Sequence, residues 1–306
     1  MAPLCRLESV LTRPSPHSAS GAERKARQLR NVARYYTWLD RWVRWSRSVR
    51  PYSGFDAMTV HRLLNDPQSG ENGPFVIHRL LRAGLELPAE PRVLDAGCGY
   101  GGTAFDLFPE IGGTWLGLTV SPIQYQRARN EAMRRGLGER VRFALQSYDA
   151  PLAETFDLVI AIESLVHSSD PDATVSNIAD ALAPGGYFVM VDDMPIENVP
   201  AALMDDVTEA KRMWRCPVMP TERGWRAAFA AAGLDVVQSQ DLSPLIYHRP
   251  MQEMTRLIER DRRRAWWLGW SGLGIIAEAN VGGLLLERLA VRGAIQYRLL
   301  VGRKRR

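Results

Sequence analysis

The chain is poor in the residues that staple or clip a protein together. Its three cysteines, Cys5, Cys98 and Cys216, show no C-x-x-C spacing, and its five histidines are scattered. That pattern excludes a disulfide framework and a sequence-local zinc site, so no metal centre is expected. A reducing compartment is the expected setting, and the cytoplasm the expected location. Lysine occurs only at positions 25, 211 and 304, so nearly all the positive charge is arginine. The net charge of +5 is spread out, with local runs only at 260–264 and 303–306. There is no basic stripe interleaved with aromatics and no N/D-P-P-Y/F run, so no nucleic-acid partner is expected.

Long apolar runs are missing too. The first twenty residues hold no continuous apolar segment, which argues against a secretory signal; the basic, Ser/Pro-rich residues 1–22 read as a disordered leader. Residues 268–286 are long enough to span a bilayer but contain Glu278 and Asn280. A charged residue in mid-span costs about 2.5 kcal/mol or more. This stretch, with Trp266, Trp267 and Trp270 before it, reads instead as an apolar lid. The region 265–290 also suits a peripheral contact with a membrane surface.

What is present fits one large α/β domain: 306 residues, 46% of them hydrophobic. Residues 23–49 form one long helix, with Tyr35, Leu39, Trp42 and Trp45 at helical spacing. Such a stripe serves packing, or packing over the mouth of a cofactor site. Residues 23–73 make an N-terminal helical cap that ends in a turn-rich linker, PQSGENG. From 74 onward strands and helices alternate, with strands at RVLDAG, 114–120, VRFALQS, 156–164 and PGGYFVMVDD. Strands at that spacing imply a parallel sheet covered on both faces. Two more strands, 235–242 and 294–304, flank a helical insertion over 243–293 that reads as a cover for substrate.

VLDAGCGYGG runs from a strand through a glycine turn towards a helix. Glycines there accept positive φ and leave no side chain between backbone and ligand, and the helix start offers free N–H groups. Gly97, Gly99 and Gly102 also fit the dinucleotide fingerprint. The next strand, however, ends without the acid that would hold a nicotinamide cofactor's ribose. Asp95 precedes the first glycine, where a carboxylate attracts an amine-bearing ligand. Asp149 in SYDAPL follows the third strand, placed to accept from an adenine amine. ALAPGGYF sets a Pro-Gly-Gly turn before the fifth strand.

On these motifs, residues 75–242 resemble the class I S-adenosylmethionine-dependent methyltransferases. The resemblance implies a Rossmann-like seven-stranded sheet with helices on both faces and an antiparallel last strand. It implies S-adenosylmethionine as cofactor, with Asp95, Gly97, Gly99 and Gly101 along its methionine end and Asp149 at its adenine. GLTVSPIQ departs from the usual acid on the second strand. It is similar to the variant of the tocopherol and cyclopropane-fatty-acid branches, which makes Thr119 and Gln124 the ribose candidates.

AIESLVHSSD places Glu163 at the carboxyl edge of the sheet, where open α/β sheets bind ligands, with His167 four residues on. The run is similar to stretches in methyltransferases acting on sterols, tocopherol precursors and prenyl diphosphates. Those likenesses imply a small lipophilic substrate, with C-methylation of an isoprenoid-like alkene as the leading reading. Glu163 would then stabilise the substrate cation and remove a proton, assisted by His167. O- or N-methylation of an aromatic or polyketide metabolite is the alternative, and an RNA methyltransferase a more distant one. Tyr247 and His248 are secondary candidates, and His61 and Arg62 are placed to meet an anionic headgroup.

Overall fold

The switch from helical to strand periodicity after residue 90 organises the molecule around a central sheet. The computed structural model describes residues 21–49, 59–269 and 271–306. Residues 1–20, including Cys5, and Trp270 lie outside the described residues, as does nearly all of the expected leader. Helix α1 (Gly21–Val49) is followed by β1 (Leu64–Asp66), β2 (Glu71–Gly73) and α2 (Val76–Arg82). The stretch expected as a linker is instead a small antiparallel hairpin, β1 against β2. Its turn is closed by Asp66, whose carboxylate accepts from the Gln68 amide and the Ser69 hydroxyl, the local competition that favours Asp at turns.

The alternating segment then gives β3 (Arg92–Ala96), α3 (Gly102–Ile111), β4 (Thr114–Thr119), α4 (Pro122–Arg134) and β5 (Val141–Leu145). β6 (Phe156–Ile162), α5 (Pro171–Asp180), β7 (Leu182–Pro195), α6 (Met204–Met213), α7 (Glu222–Ala231) and β8 (Leu234–Asp241) come next. The 243–293 segment contains α8 (Met251–Leu268) and α9 (Gly272–Val291), and β9 (Ile295–Lys304) follows. The sheet has seven strands in the order β5-β4-β3-β6-β7-β9-β8. The first five of these pair in parallel, while β9 is antiparallel to both β7 and β8. This is the Rossmann-like methyltransferase sheet expected from the sequence.

Alternate residues of the central strands enter different cores, as both-face burial demands. Val93, Leu158, Ile160 and Val189 pack on one face, and Leu94, Val159, Phe188 and Met190 on the other. A third cluster joins α6 to the α8–α9 hairpin through Val207, Ile258 and Leu285. The Pro-Gly-Gly run is taken into β7 rather than left as a separate turn. A register shift opposite Phe156 and Leu158 and the φ of 78° at Gly185 mark the irregularity. Among the described residues, no helix is long and apolar enough to cross a membrane.

Strand order reverses between β3, which leads outward to β4, and its other neighbour β6. The carboxyl ends of β3 and β6 therefore border the crevice where such sheets bind ligands.

Candidate active site

The floor of the crevice is main chain. The amides of Gly97 and Cys98 both donate to Leu118 O, at 3.0 and 2.8 Å, so the loop is pinned to the end of β4. Gly97 has φ 95°, and a Cβ there would lie 2.4 Å from Ser164 Cβ. Ser164 in turn donates to Ala96 O at 2.6 Å, tying the ends of β3 and β6 together. Gly99, at φ 53°, lines the cavity. Gly101 does not: a Cβ on it would strike the Phe143 and Phe105 rings, so its place is behind the loop, against the core. Asp95 is 2% exposed and its Oδ2 has no hydrogen-bond partner. Burial pushes its carboxyl up to about 7. A buried, unpartnered carboxylate oxygen beside a glycine loop is an unmet demand for a donor, and the amine of S-adenosylmethionine would meet it.

The expected ribose pair forms one unit. Thr119 Oγ1 donates to Gln124 Oε1 at 2.9 Å and accepts from the Ser121 amide at 3.2 Å. Both side chains are buried and both line the cavity. Thr119 thereby orients Gln124, whose amide nitrogen is left to donate to a hydroxyl. Ser121 occupies the N-cap of α4 without a side-chain cap bond, and Pro122 starts the helix. Asp149 lies beside the cavity rather than on its wall. Its carboxylate accepts from the Thr174 hydroxyl, and its carbonyl accepts from Lys25 Nζ at 3.1 Å. Its neighbours Ser147 and Tyr148 line the wall.

Glu163 is brought into the same cavity with φ 50°, an uncommon conformation for a side-chain-bearing residue. Its Oε1 accepts from the Arg62 amide and from the Tyr297 hydroxyl, both at 2.8 Å. Neither bond uses Oε2. Burial raises its carboxyl pKa, and the Arg62 charge works in the opposite direction. Arg62 itself pairs with Asp193 and stands over the Tyr297 ring, so it does not offer a free charge to a headgroup. Burial also pushes His61 down to about 3, and a neutral ring cannot serve that role either.

His167 lines the cavity, and burial pushes it down to about 4, so it is neutral at pH 7. Its Nδ1 is 3.3 Å from Arg215 O and must donate to that carbonyl. Nε2 is then the acceptor, and Tyr36 Oη, 3.0 Å away, donates to it.

The cover comes from α1. Val32, Tyr35, Tyr36 and Leu39 form an i, i+3, i+4, i+7 stripe on the cavity, joined by Val60, His61 and Trp214. Asp40, 1% exposed, holds α1 down by accepting from Tyr100 Oη of the glycine loop at 3.0 Å and pairing with Arg127 of α4. Among the described residues, the insertion expected to cover the site contributes none to the cavity lining. α1 already occupies that position, and α9 packs against α1 and α6 from outside. Trp266 and Trp267 are 75% and 70% exposed, and Tyr247 is exposed at 69%. Tyr36, Tyr297, Asp40 and Asp193 were not singled out by sequence reasoning. A tyrosine at period-two spacing in a buried strand, and an acid inside an apolar helical stripe, were the available signals.

The cavity is thus walled by the glycine loop, the ends of β4 and β6, and the α1 stripe. A family model described as methyltransferase domain matches residues 70–239. Methyltransferase GfsG of Streptomyces halstedii is 34% identical over 167 residues, 52% of this chain and 58% of that protein. The chloroplastic tocopherol O-methyltransferase of Arabidopsis thaliana is 34% identical over 102 residues, 33% of this chain and 29% of that protein. The chain thus spans less than two thirds of these curated relatives. The structure of geranyl diphosphate C-methyltransferase from Streptomyces coelicolor has the same fold, with a TM-score of 0.64 at 17% identity over 90% of this chain and 98% of that one. With the family model matching more than half of its length, and this sheet order and glycine loop around the cavity, the chain belongs to the class I S-adenosylmethionine-dependent methyltransferase family.

Proposed function

We propose that the chain methylates a small lipophilic metabolite at carbon, with an isoprenoid-like alkene as the acceptor. The observation that supports this reading is the posture of Glu163. Its backbone is held in a rare conformation, Oε1 is anchored twice, Oε2 takes part in neither bond, and the residue lines the cavity. S-adenosylmethionine supplies an activated methyl group, so the protein's task is alignment, exclusion of water and handling of any proton. Methylation of an alkene would form a C–C bond as the sulfonium S–CH3 bond breaks, releasing S-adenosylhomocysteine and leaving a cation on the neighbouring carbon. Glu163 then removes the adjacent proton and restores the double bond. Tyr35, Tyr36 and Trp214 line the cavity, and aromatic rings favour a nearby cation during that interval. The C-methyltransferase activity named for the geranyl diphosphate enzyme is of this kind.

A second reading rests on a different observation. Neutral His167 holds the proton of Tyr36, so Tyr36 Oη can accept from a substrate hydroxyl while His167 takes up its proton. That arrangement suits O-methylation of a phenol or other hydroxyl, the type of activity named for the tocopherol enzyme. The deciding experiment is transfer of a labelled methyl group from S-adenosylmethionine into a whole-cell extract, followed by partition into organic solvent. Hydroiodic acid then cleaves methyl ethers. Organic label that resists the acid supports C-methylation, label released by it supports the oxygen acceptor, and label found in RNA or protein overturns both.

A further inference from the structure

The α8–α9 hairpin is buried along its length, where Met254, Ile258, Val281 and Leu285 share a core with α6. Its tip is not. Trp266 and Trp267, in the last turn of α8, are exposed, and Leu273, in the first turn of α9, is 50% exposed. The two indoles meet edge to face at 4.6 Å. The amide and hydroxyl of Ser271 both donate to Leu268 O at 2.8 Å and close the turn, which sets Leu273 at the same end as the tryptophans. Beside it, Gly272 is pressed onto α1: a Cβ there would lie 2.1 Å from the Trp38 ring. Trp38 stands between Tyr35 and Leu39, which line the cavity. The exposed tip is therefore seated on the helix that covers the active site.

A basic collar stands behind the tip. Between 256 and 264 the helix carries Arg256, Arg260, Arg262, Arg263 and Arg264 against Glu259 and Asp261. Arg260 and Arg264 share buried Asp261, and Arg262 pairs with Glu209. Arg256 and Arg263 are exposed and pair with no acid among the described residues. Arg263 precedes the two tryptophans by three and four residues, so it shares their face of the helix. Five arginines against three acids, Glu209 included, leave the collar positive.

We propose that this tip docks on an anionic lipid surface, with Trp266, Trp267 and Leu273 entering the headgroup boundary and Arg263 meeting lipid phosphates. Indole rings favour that depth, and basic residues are drawn to an anionic leaflet. Charge and area select lipid over a second copy of the chain. Two positive collars repel, and a large aromatic side chain buries only about 150–250 Å², so three side chains fall short of the roughly 800 Å² per partner of a stable protein interface. Leu273 has no ring to stack on a base, which favours lipid over nucleic acid. Docking sets α1 and its cavity beside a phase in which lipophilic molecules dissolve, but it stands apart from any reading of the substrate.

The test is co-sedimentation of the full chain with vesicles of phosphatidylcholine alone and of phosphatidylcholine mixed with phosphatidylglycerol. Binding to the mixed vesicles is about tenfold tighter and weakens with salt. Trp266→Ala combined with Trp267→Ala lowers that affinity about tenfold or more. Arg263→Glu lowers it about tenfold and leaves binding to phosphatidylcholine unchanged. Circular dichroism checks that the variants, altered only at exposed positions, keep their fold. Absence of binding, equal affinity for the two vesicle types, or indifference to the tryptophan substitutions overturns the proposal. So does a dimer, seen by light scattering, that those substitutions dissolve, or single-stranded RNA that binds through the same residues.

Discussion

Gly97 and Tyr36 line one cavity, the first from the sheet and the second from α1. Gly97 is fixed by its own backbone: its amide bonds the end of β4, and no Cβ fits against Ser164. Tyr36 is fixed by what other segments bring to it, a histidine from beyond β6 that is itself held by Arg215. The floor is thus built from local geometry, and the cover from side chains that meet only after the chain has folded. Damage to the floor should abolish cofactor binding. Damage to the cover should spare cofactor and impair chemistry.

The largest effect is expected where floor and cover meet. Glu163→Gln should lower turnover about 100-fold or more, the ordinary span for a general base, with S-adenosylhomocysteine affinity unchanged by calorimetry. Normal turnover would remove Glu163 from the chemistry. Gly97→Ala should cost about 100-fold in cofactor affinity, through overpacking and an unfavourable φ together; near-normal binding would show that the floor yields. Tyr36→Phe tests the cover. Loss of the hydroxyl should reduce turnover about tenfold under the oxygen-acceptor reading while leaving cofactor affinity in place. If affinity falls and turnover does not, the division between floor and cover is wrong.

A pH titration sharpens the account of the floor. The Asp95 carboxyl, raised by burial to about 7, is neutral below that pH and charged above it. Only the charged form attracts the ligand amine, so S-adenosylhomocysteine affinity should rise between pH 6 and pH 8, by up to about tenfold. Asp95→Asn should flatten the slope, and a slope that persists in that variant would assign it elsewhere. The smallest effect is expected at Asp149, already satisfied by Thr174. Asp149→Ala should weaken the cofactor about threefold, through loss of one hydrogen bond, and unchanged affinity would remove the adenine assignment.

These differences follow what the sequence makes legible. The succession of strands and helices and the glycine loop were readable because periodicity and positive-φ residues act over a few neighbours, whereas the sheet arrangement came from the family resemblance. Thr119 and Gln124 were legible as a pair through the resemblance of GLTVSPIQ to a branch variant, and the structure joins them by a hydrogen bond. The family resemblance made Gly101 a ligand candidate, but Phe143 and Phe105, brought in from the core, stand where its side chain would be. The α1 stripe, read as packing over a cofactor mouth, does line the cavity; the insertion, read as a second cover, does not among the described residues. The Trp-rich insertion had the composition of a lid, yet which helix reaches the crevice depends on how α1, α6 and α9 pack, and composition does not encode that contact. Likewise nothing near Glu163 in sequence announces Tyr297, which lies 134 residues away and joins it through sheet register.

The placement of β9 sets a timetable for synthesis. It follows β8 in the chain but lies between β7 and β8. Until residues 295–304 emerge from the ribosome, β7 and β8 each present an unpaired edge, the exposed state that invites aggregation. The same strand delivers the Tyr297 hydroxyl to Glu163. A nascent chain can therefore hold its glycine loop and five parallel strands and still lack an anchored acid. Any chemistry that needs the anchored acid must wait for β9, which follows the glycine loop and the parallel strands in the chain.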